Sequence, residues 1–197
     1  MAYFPMCVDL RGKTVALVGE GEQTRAKAEA LKPFGARVVA LPRFAEAGFP
    51  QDAALAVVGD LPLSQAEEVA RLCARRGVPV NVVDAPQLST FCFPALICEG
   101  DLTISISTGG RSPCAAAHLR RWIRSLLPGR AGEIVERLGE HTQALRKACP
   151  HQARAAALRA LTARAFEEDR PPTGEDVRRA LEAVRSSGEA DKSAARA

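Results

Sequence analysis

Three groups of residues in the 197-residue chain have the types and spacing to do chemistry. The first is a single carboxylate. Asp84 directly follows the apolar run Val78-Pro-Val-Asn-Val-Val83. A carboxylate there can accept a proton or guide a hard divalent cation, and ligands of open parallel sheets bind outside the carboxyl ends of the strands. The second group is the turn Gly19-Glu-Gly-Glu-Gln-Thr24. Two glycines let the backbone approach a diphosphate, and the N-terminus of the helix that follows supplies free N–H groups and partial positive charge. Gly19, Gly21, Glu22 and Gln23 are therefore candidate cofactor contacts. Thr24 stands where the third glycine of Gly-x-Gly-x-x-Gly is usual, and Glu20 and Glu22 add negative charge, so a glycine turn without a ligand remains the alternative. Dinucleotide binders place an acid about 20 residues further on to hold the ribose. Here that stretch is Leu41-Pro-Arg43-Phe44. Arg43 reads as a solvated loop residue ahead of a partner for a 2′-phosphate, and Arg43 and Phe44 complete the cofactor candidates.

The third group is cationic. Residues 111–130 hold Arg111, Arg120, Arg121, Arg124 and Arg130 and no acid. Arg120 and Arg124 share a helical face. Such a stripe suits a polycarboxylate, but a solvated helix face or a subunit interface explains it as well. His118, His141 and His151 lack an i, i+4 partner of ligand type and read as surface residues. The six cysteines (Cys7, Cys73, Cys92, Cys98, Cys114 and Cys149) show no Cys-x-x-Cys spacing, so neither a zinc site nor a disulfide framework is expected. Reduced thiols point to a cytoplasmic protein.

These groups need a scaffold. Thr14–Val18, Arg37–Leu41, Ala53–Val58, Val78–Val83 and the alternating Leu102–Ser107 read as strands. Helices are expected over Thr24–Phe34, closing on Gly35 with Pro33 forcing an early finish, from Ser64 to Arg76, and from Pro113, capped by Ser112, to Leu127. Helical composition resumes at Ala131 and continues in pieces to Arg185, broken at Pro171-Pro-Thr-Gly174. Strand, glycine turn, helix and strand in order define an α/β fold with a Rossmann-like parallel sheet. The expected organisation is a sheet domain over 1–112, a helical dimerisation region over 113–150, a small helical part over 151–185 and a disordered tail over 186–197. Net charge is +4 and aromatics are 5%, which supplies neither a strong basic footprint nor base-stacking platforms for nucleic acid. No run approaches the roughly 18 apolar residues of a membrane span, and no signal peptide is evident.

In order, the segments resemble the precorrin-2 dehydrogenase and sirohydrochlorin ferrochelatase family, the N-terminal half of siroheme synthase. The resemblance is carried by Tyr3-Phe-Pro-Met-Cys-Val-Asp-Leu-Arg-Gly12, by the glycine turn with Lys27, and most densely by three further motifs: Asn81-Val-Val-Asp-Ala-Pro86, Phe91-Cys-Phe-Pro-Ala95 and Ile104-Ser-Ile-Ser-Thr-Gly-Gly-Arg-Ser-Pro113. Leu119 to Pro128 continues it. The resemblance implies a homodimer that oxidises precorrin-2 with NAD, NADP remaining open, and then inserts Fe²⁺ as a substrate. Asp84 takes the place of the family's essential aspartate. Ser107, Thr108, Gly109, Gly110, Arg111, Arg120 and Arg124 become candidates to hold an anionic tetrapyrrole. A chelatase that has lost the redox step, or a non-catalytic binding protein on the same scaffold, are the alternatives. Pro42 to Gln51 is too short for a helical crossover between parallel strands. One helix–strand unit of the family pattern is therefore expected to be missing.

Overall fold

The computed structural model describes residues 3–148 and 151–194, with side chains over 3–147 and 151–184. It divides into two compact units. One comprises the chain to Pro94 together with Ser107–Pro113, the other Ala95–Ile106 together with the chain from Cys114 onward.

In the first unit, β1 (Thr14–Val18), β2 (Arg37–Leu41), β3 (Ala53–Val58) and β4 (Val80–Val82) form one parallel sheet in the order β2-β1-β3-β4. Helices α1 (Glu22–Leu31) and α2 (Leu63–Arg76) cover it. The alternation of side chains along the strands decides which helix covers which face. Ala16, Val18, Ala56, Val58, Val80 and Val82 pack with Val69, Leu72 and Cys73 of α2. Val15, Leu17, Leu55 and Val57 pack with Ala28 and Leu31 of α1. Helices on both faces make the sheet doubly wound, and every residue of β1 is buried. Pro33 ends α1 as expected: a 3₁₀ turn over Lys32–Phe34 leads to Gly35, whose φ of +72° is the left-handed cap. Gly77 at +66° ends α2 in the same way.

In the usual doubly wound order 3-2-1-4-5-6 the chain adds a third strand outside the second before crossing back. Here the chain passes from β2 through Pro42–Asp52, which contains only a 3₁₀ turn, directly to the far side of β1. The third strand and its helix are absent, as the short segment implied, and β2 borders the sheet. Phe49 keeps this shortened connection folded by burying itself in the α2 side of the core, with Phe44 packed against the same cluster.

The second unit differs from the expected all-helical region. Ala95-Leu-Ile-Cys-Glu99 is a strand, β5, which pairs antiparallel with β6 (Leu102–Ile106) across Gly100. Leu102–Ser107 is expected as a strand within the sheet domain of residues 1–112, but it pairs in a separate two-stranded sheet; a hairpin pairs locally and needs no place in the parallel sheet. Helices α3 (Pro113–Leu126), α4 (Ala131–Ala148), α5 (His151–Glu167) and α6 (Gly174–Ala194) follow. Gly132 lets α4 approach the hairpin: a Cβ there would lie 2.5 Å from the Glu99 carbonyl oxygen. Ala157, Leu161 and Ala165 form the buried stripe of α5. The break between α5 and α6 is a tight polar staple. The Asp169 carboxylate accepts from the N–H groups of Gly129 and Arg130 at the start of α4. Thr173 and Asp176 form a reciprocal capping box on α6, and Arg170 donates twice to Asp176. Helix α6 takes in part of the expected 186–197 tail; residues 195–197, and Cys149 among the cysteines, lie outside the described residues.

Candidate functional site

The site builds outward from the carboxyl ends of three parallel strands. Gly19 ends β1 with φ +106°, and a Cβ on it would lie 1.8 Å from the carbonyl oxygen of Gly59. Only glycine allows that conformation and that approach. Gly21 then caps α1 in an extended conformation with no side-chain hydrogen bond. No side chain of the cap is bonded to the backbone N–H groups of the first turn, the groups that meet the diphosphate in dinucleotide-binding turns.

Thr24 solves in its own way the packing problem that the third glycine usually solves. It is fully buried, and the strand opposite gives way instead: a Cβ on Gly59 would lie 2.4 Å from Thr24 Oγ1 and 2.8 Å from Val83 Cγ2. The small residue has moved from the helix to the strand. Thr24 Oγ1 also donates to Asp60 Oδ2 at 2.5 Å.

Asp60 and Asp84 terminate the adjacent strands β3 and β4 with nearly the same left-handed backbone, φ +59° and +58°. Aspartate tolerates that region better than most side-chain-bearing residues. Each carboxylate faces one part of α1. Asp60 lies against Gly21 and Thr24. Asp84, which is exposed, accepts from Gln23 Nε2 at 3.4 Å and interacts with the charge of Lys27 one helical turn further on.

The segment after β4 brings the rest of the cluster. Thr90 and Ser89 hydroxyls accept from the N–H groups of Val80 and Val82, so this segment stays bonded to β4. Buried Asn81 donates from Nδ2 to the Phe91 carbonyl, and its Oδ1 has no partner. Phe93 thereby lies under Lys27, whose ammonium is 4.5 Å from the ring centroid. Burial pushes the Lys27 amine below its ordinary pKa, against the opposing pull of Asp84 and Cys92. The arrangement is a polar crescent of Gln23, Lys27, Asp84 and Cys92 beside a glycine turn. It can hold an anionic cofactor along the backbone and present a carboxylate, itself next to a cation, to a substrate.

The other candidates distribute unevenly. Thr108–Arg111 is a tight turn with Gly109 and Gly110 at φ +63° and +77°; Thr108 Oγ1 donates to the Ser112 carbonyl, and the Gly109 N–H donates to Ser107 Oγ. Arg111 is exposed, as is Arg43, whereas Phe44 is a core-packing residue rather than an exposed platform. Glu22 is exposed in the first turn of α1. In the second unit Arg120 is exposed, while Arg124 forms an ion pair with Glu99 of the hairpin. That unit also has a groove of about 610 Å³ between α4 and the start of α6. Its cations are already engaged, Arg130 with Glu133, Arg137 with Glu140 and Arg170 with Asp176. His141 Nε2 lies 3.1 Å from the Pro172 carbonyl, a structural contact. Among the described residues no cluster of His, Cys, Asp and Glu could hold a metal ion, and no helix is long and apolar enough to cross a membrane. Sequence reasoning missed Asp60 and Gly59 as partners of the glycine turn. The Gly-Asp pair closing a buried strand beside it was the available signal.

The doubly wound sheet and the glycine turn define a dinucleotide-binding class of α/β protein, and residues 6–95 match an NAD(P)-binding family model. Residues 99–126 match the central domain of sirohaem biosynthesis proteins. Siroheme synthase of Methylococcus capsulatus is 31% identical over 172 residues, covering 76% of this chain and 36% of that protein. Siroheme synthase of Azotobacter vinelandii is 36% identical over 155 residues, covering 68% and 33%. The chain thus spans about a third of the length of these relatives. Among solved structures, the precorrin-2 dehydrogenase SirC superposes with a TM-score of 0.67 over 93% of this chain and all of that one, at 14% identity, a likeness of fold. The chain belongs to the siroheme synthase family.

Proposed function

We propose that this protein oxidises precorrin-2 to sirohydrochlorin with NAD, and then assists insertion of Fe²⁺ to give siroheme. The observation that carries the reading is Asp84, a strand-end carboxylate contacted by Gln23 from the glycine-turn helix and facing Lys27. The Gly19–Gly21 backbone and the first turn of α1 would hold the diphosphate; the bound nicotinamide supplies the hydride acceptor. Losing two hydrogens from the macrocycle means losing one hydride and one proton. Asp84, exposed at the end of β4, takes the proton. Exposure of Asp84 to solvent lets the proton leave afterwards. In the second reaction the same carboxylate attracts Fe²⁺ towards the pyrrole nitrogens as their protons depart. Arg111 and Arg120 are exposed guanidinium groups offered to the substrate carboxylates; Arg124, also exposed but paired with Glu99, is the weaker candidate.

A homodimer forms part of the proposal. Helix α3 buries only Ala116, yet carries Trp122 at 56% and Leu126 at 66% exposure one turn apart. A second copy of the chain is the occupant proposed for that stripe. A chelatase without the redox step is the competing reading, favoured by the missing third strand, which removes a wall from the adenosine side of the site. Two assays separate them: NADH formation from precorrin-2, and iron insertion into sirohydrochlorin supplied directly. Absence of hydride transfer with both NAD and NADP, while iron insertion proceeds, would refute the dehydrogenase reading.

A further inference from the structure

The second glycine of a dinucleotide-binding turn keeps clear the space through which the diphosphate approaches the backbone. In this protein that space is filled from within. A Cβ built on Gly21 would lie 1.8 Å from Asp60 Cγ and 1.9 and 2.0 Å from its two carboxylate oxygens. Gly21 therefore makes room for a carboxylate of the protein itself. Three further observations bear on its role. The hydroxyl of buried Thr24 holds that carboxylate at 2.5 Å. Residue 60 lies in the left-handed backbone region just after the end of β3. Glu20 and Glu22, both exposed, already bring negative charge to the same turn, and the turn itself contains no Lys or Arg to offset it.

We propose that Asp60 is an internal stand-in for the cofactor diphosphate, occupying its place beside Gly21 and setting the affinity and order of dinucleotide binding. This rests on the reading of the glycine turn as a dinucleotide site. An anionic side chain and a diphosphate cannot share one pocket at the positive end of α1, so binding must exchange one for the other. The Asp60–Thr24 bond breaks, Asp60 turns outward, and the diphosphate takes its place. Because Asp60 is exposed at its outer side, the exchange needs only a side-chain rotation and no backbone rearrangement. The cost of the exchange is subtracted from cofactor affinity.

The test is direct titration of NADH into the full-length protein, followed by nicotinamide fluorescence and calorimetry, for wild type and three variants. Asp60→Gly clears the space and suits the left-handed backbone; Asp60→Asn keeps the volume and removes the charge; Thr24→Val keeps the shape and removes the hydroxyl that holds Asp60. The expected result is a Kd roughly tenfold lower for Asp60→Gly, the size of one ordinary ionic contact, and a smaller gain for the other two. Circular dichroism confirms that each variant is folded. NADH binding of equal strength in wild type and all three variants overturns the proposal and leaves the dinucleotide site standing. No binding of NADH or NADPH by any folded variant, including Asp60→Gly, overturns both.

Discussion

Gly59→Ala tests how this protein came to accept a threonine where dinucleotide-binding turns carry glycine. The new methyl would meet Thr24 Oγ1 at 2.4 Å and Val83 Cγ2 at 2.8 Å, both closer than the 3.0 Å that real Cβ atoms respect. Thr24 is fully buried, so it cannot retreat into solvent. Overpacking of this kind costs about 3 kcal/mol. Restricting the unfolded chain by replacing glycine returns up to about 1 kcal/mol. The net expectation is about 2 kcal/mol, which for a domain of this size is a fall in Tm of roughly 8–16 °C. Thr24→Ala alone leaves a small cavity and an unpaired Asp60, an expected loss of about 1 kcal/mol. Together the two changes should interfere: the methyl on residue 59 occupies the room vacated by Thr24, so the double variant is more stable than the sum of the singles by about 1–2 kcal/mol. The assay is a double-variant cycle by scanning calorimetry and urea titration, with amide exchange on β1 and β3 reporting on the first unit specifically. Additive losses would show that Gly59 and Thr24 are not complementary, and the account of the turn would fall with them.

Asp84→Asn, which keeps the size and the contact with Gln23, should lower precorrin-2 oxidation by about 10²–10⁴-fold with an unchanged melting profile; near-normal turnover would remove Asp84 from proton transfer. Trp122→Glu with Leu126→Glu should convert a dimer to a monomer in analytical ultracentrifugation while the circular dichroism spectrum is retained; an unchanged sedimentation coefficient would refute the assignment of α3. Arg111→Ala and Arg120→Ala should raise the KM for precorrin-2 more than Arg124→Ala does, because only Arg124 is already paired. The Arg170 guanidinium holds the Asp176 carboxyl far below the usual carboxylate range. A carboxylate lowered in this way contributes stability that is complete above its ordinary value of 3.8 and is lost progressively as pH falls below it. Asp176→Asn should therefore be less stable than wild type at pH 7 and show a flatter acid profile; parallel profiles would count against the staple.

The parts of the fold that were legible in the sequence are those set by local pattern. Thr14–Val18, Arg37–Leu41 and Ala53–Val58 are short apolar runs between glycines and polar breaks, and each is a strand with those limits. The connection Pro42–Asp52 was too short to hold a helix, so the missing strand could be inferred before the sheet order was known. Ala95–Glu99 escaped notice because a five-residue apolar segment between Pro94 and Gly100 has no period of its own, and its partner Leu102–Ile106 was read into the larger sheet. At the site, Asp84 was legible from its position after a strand. Asp60 was not, although it also ends a strand, because its importance lies in a space beside Gly21 that only the folded backbone defines. The pairing of Arg124 with Glu99 was hidden for a similar reason: it depends on where the hairpin returns relative to α3, which neither segment encodes alone.

The missing third strand also bears on how this protein stays apart from its neighbours in a crowded solution. Strand β2 is left as a border whose outer N–H and C=O groups have no strand beside them, the feature that templates the growth of intermolecular sheets. The border is short and closed at both ends. It runs only from Arg37 to Leu41, opens on a charged side chain bonded to Asp52, and stops at Pro42, which has no N–H to offer. A chain that tried to extend the sheet would find few usable hydrogen-bonding sites between a solvated ion pair and a proline. The truncation that leaves β2 at the border has thus been made where the exposed edge carries least risk of aggregation.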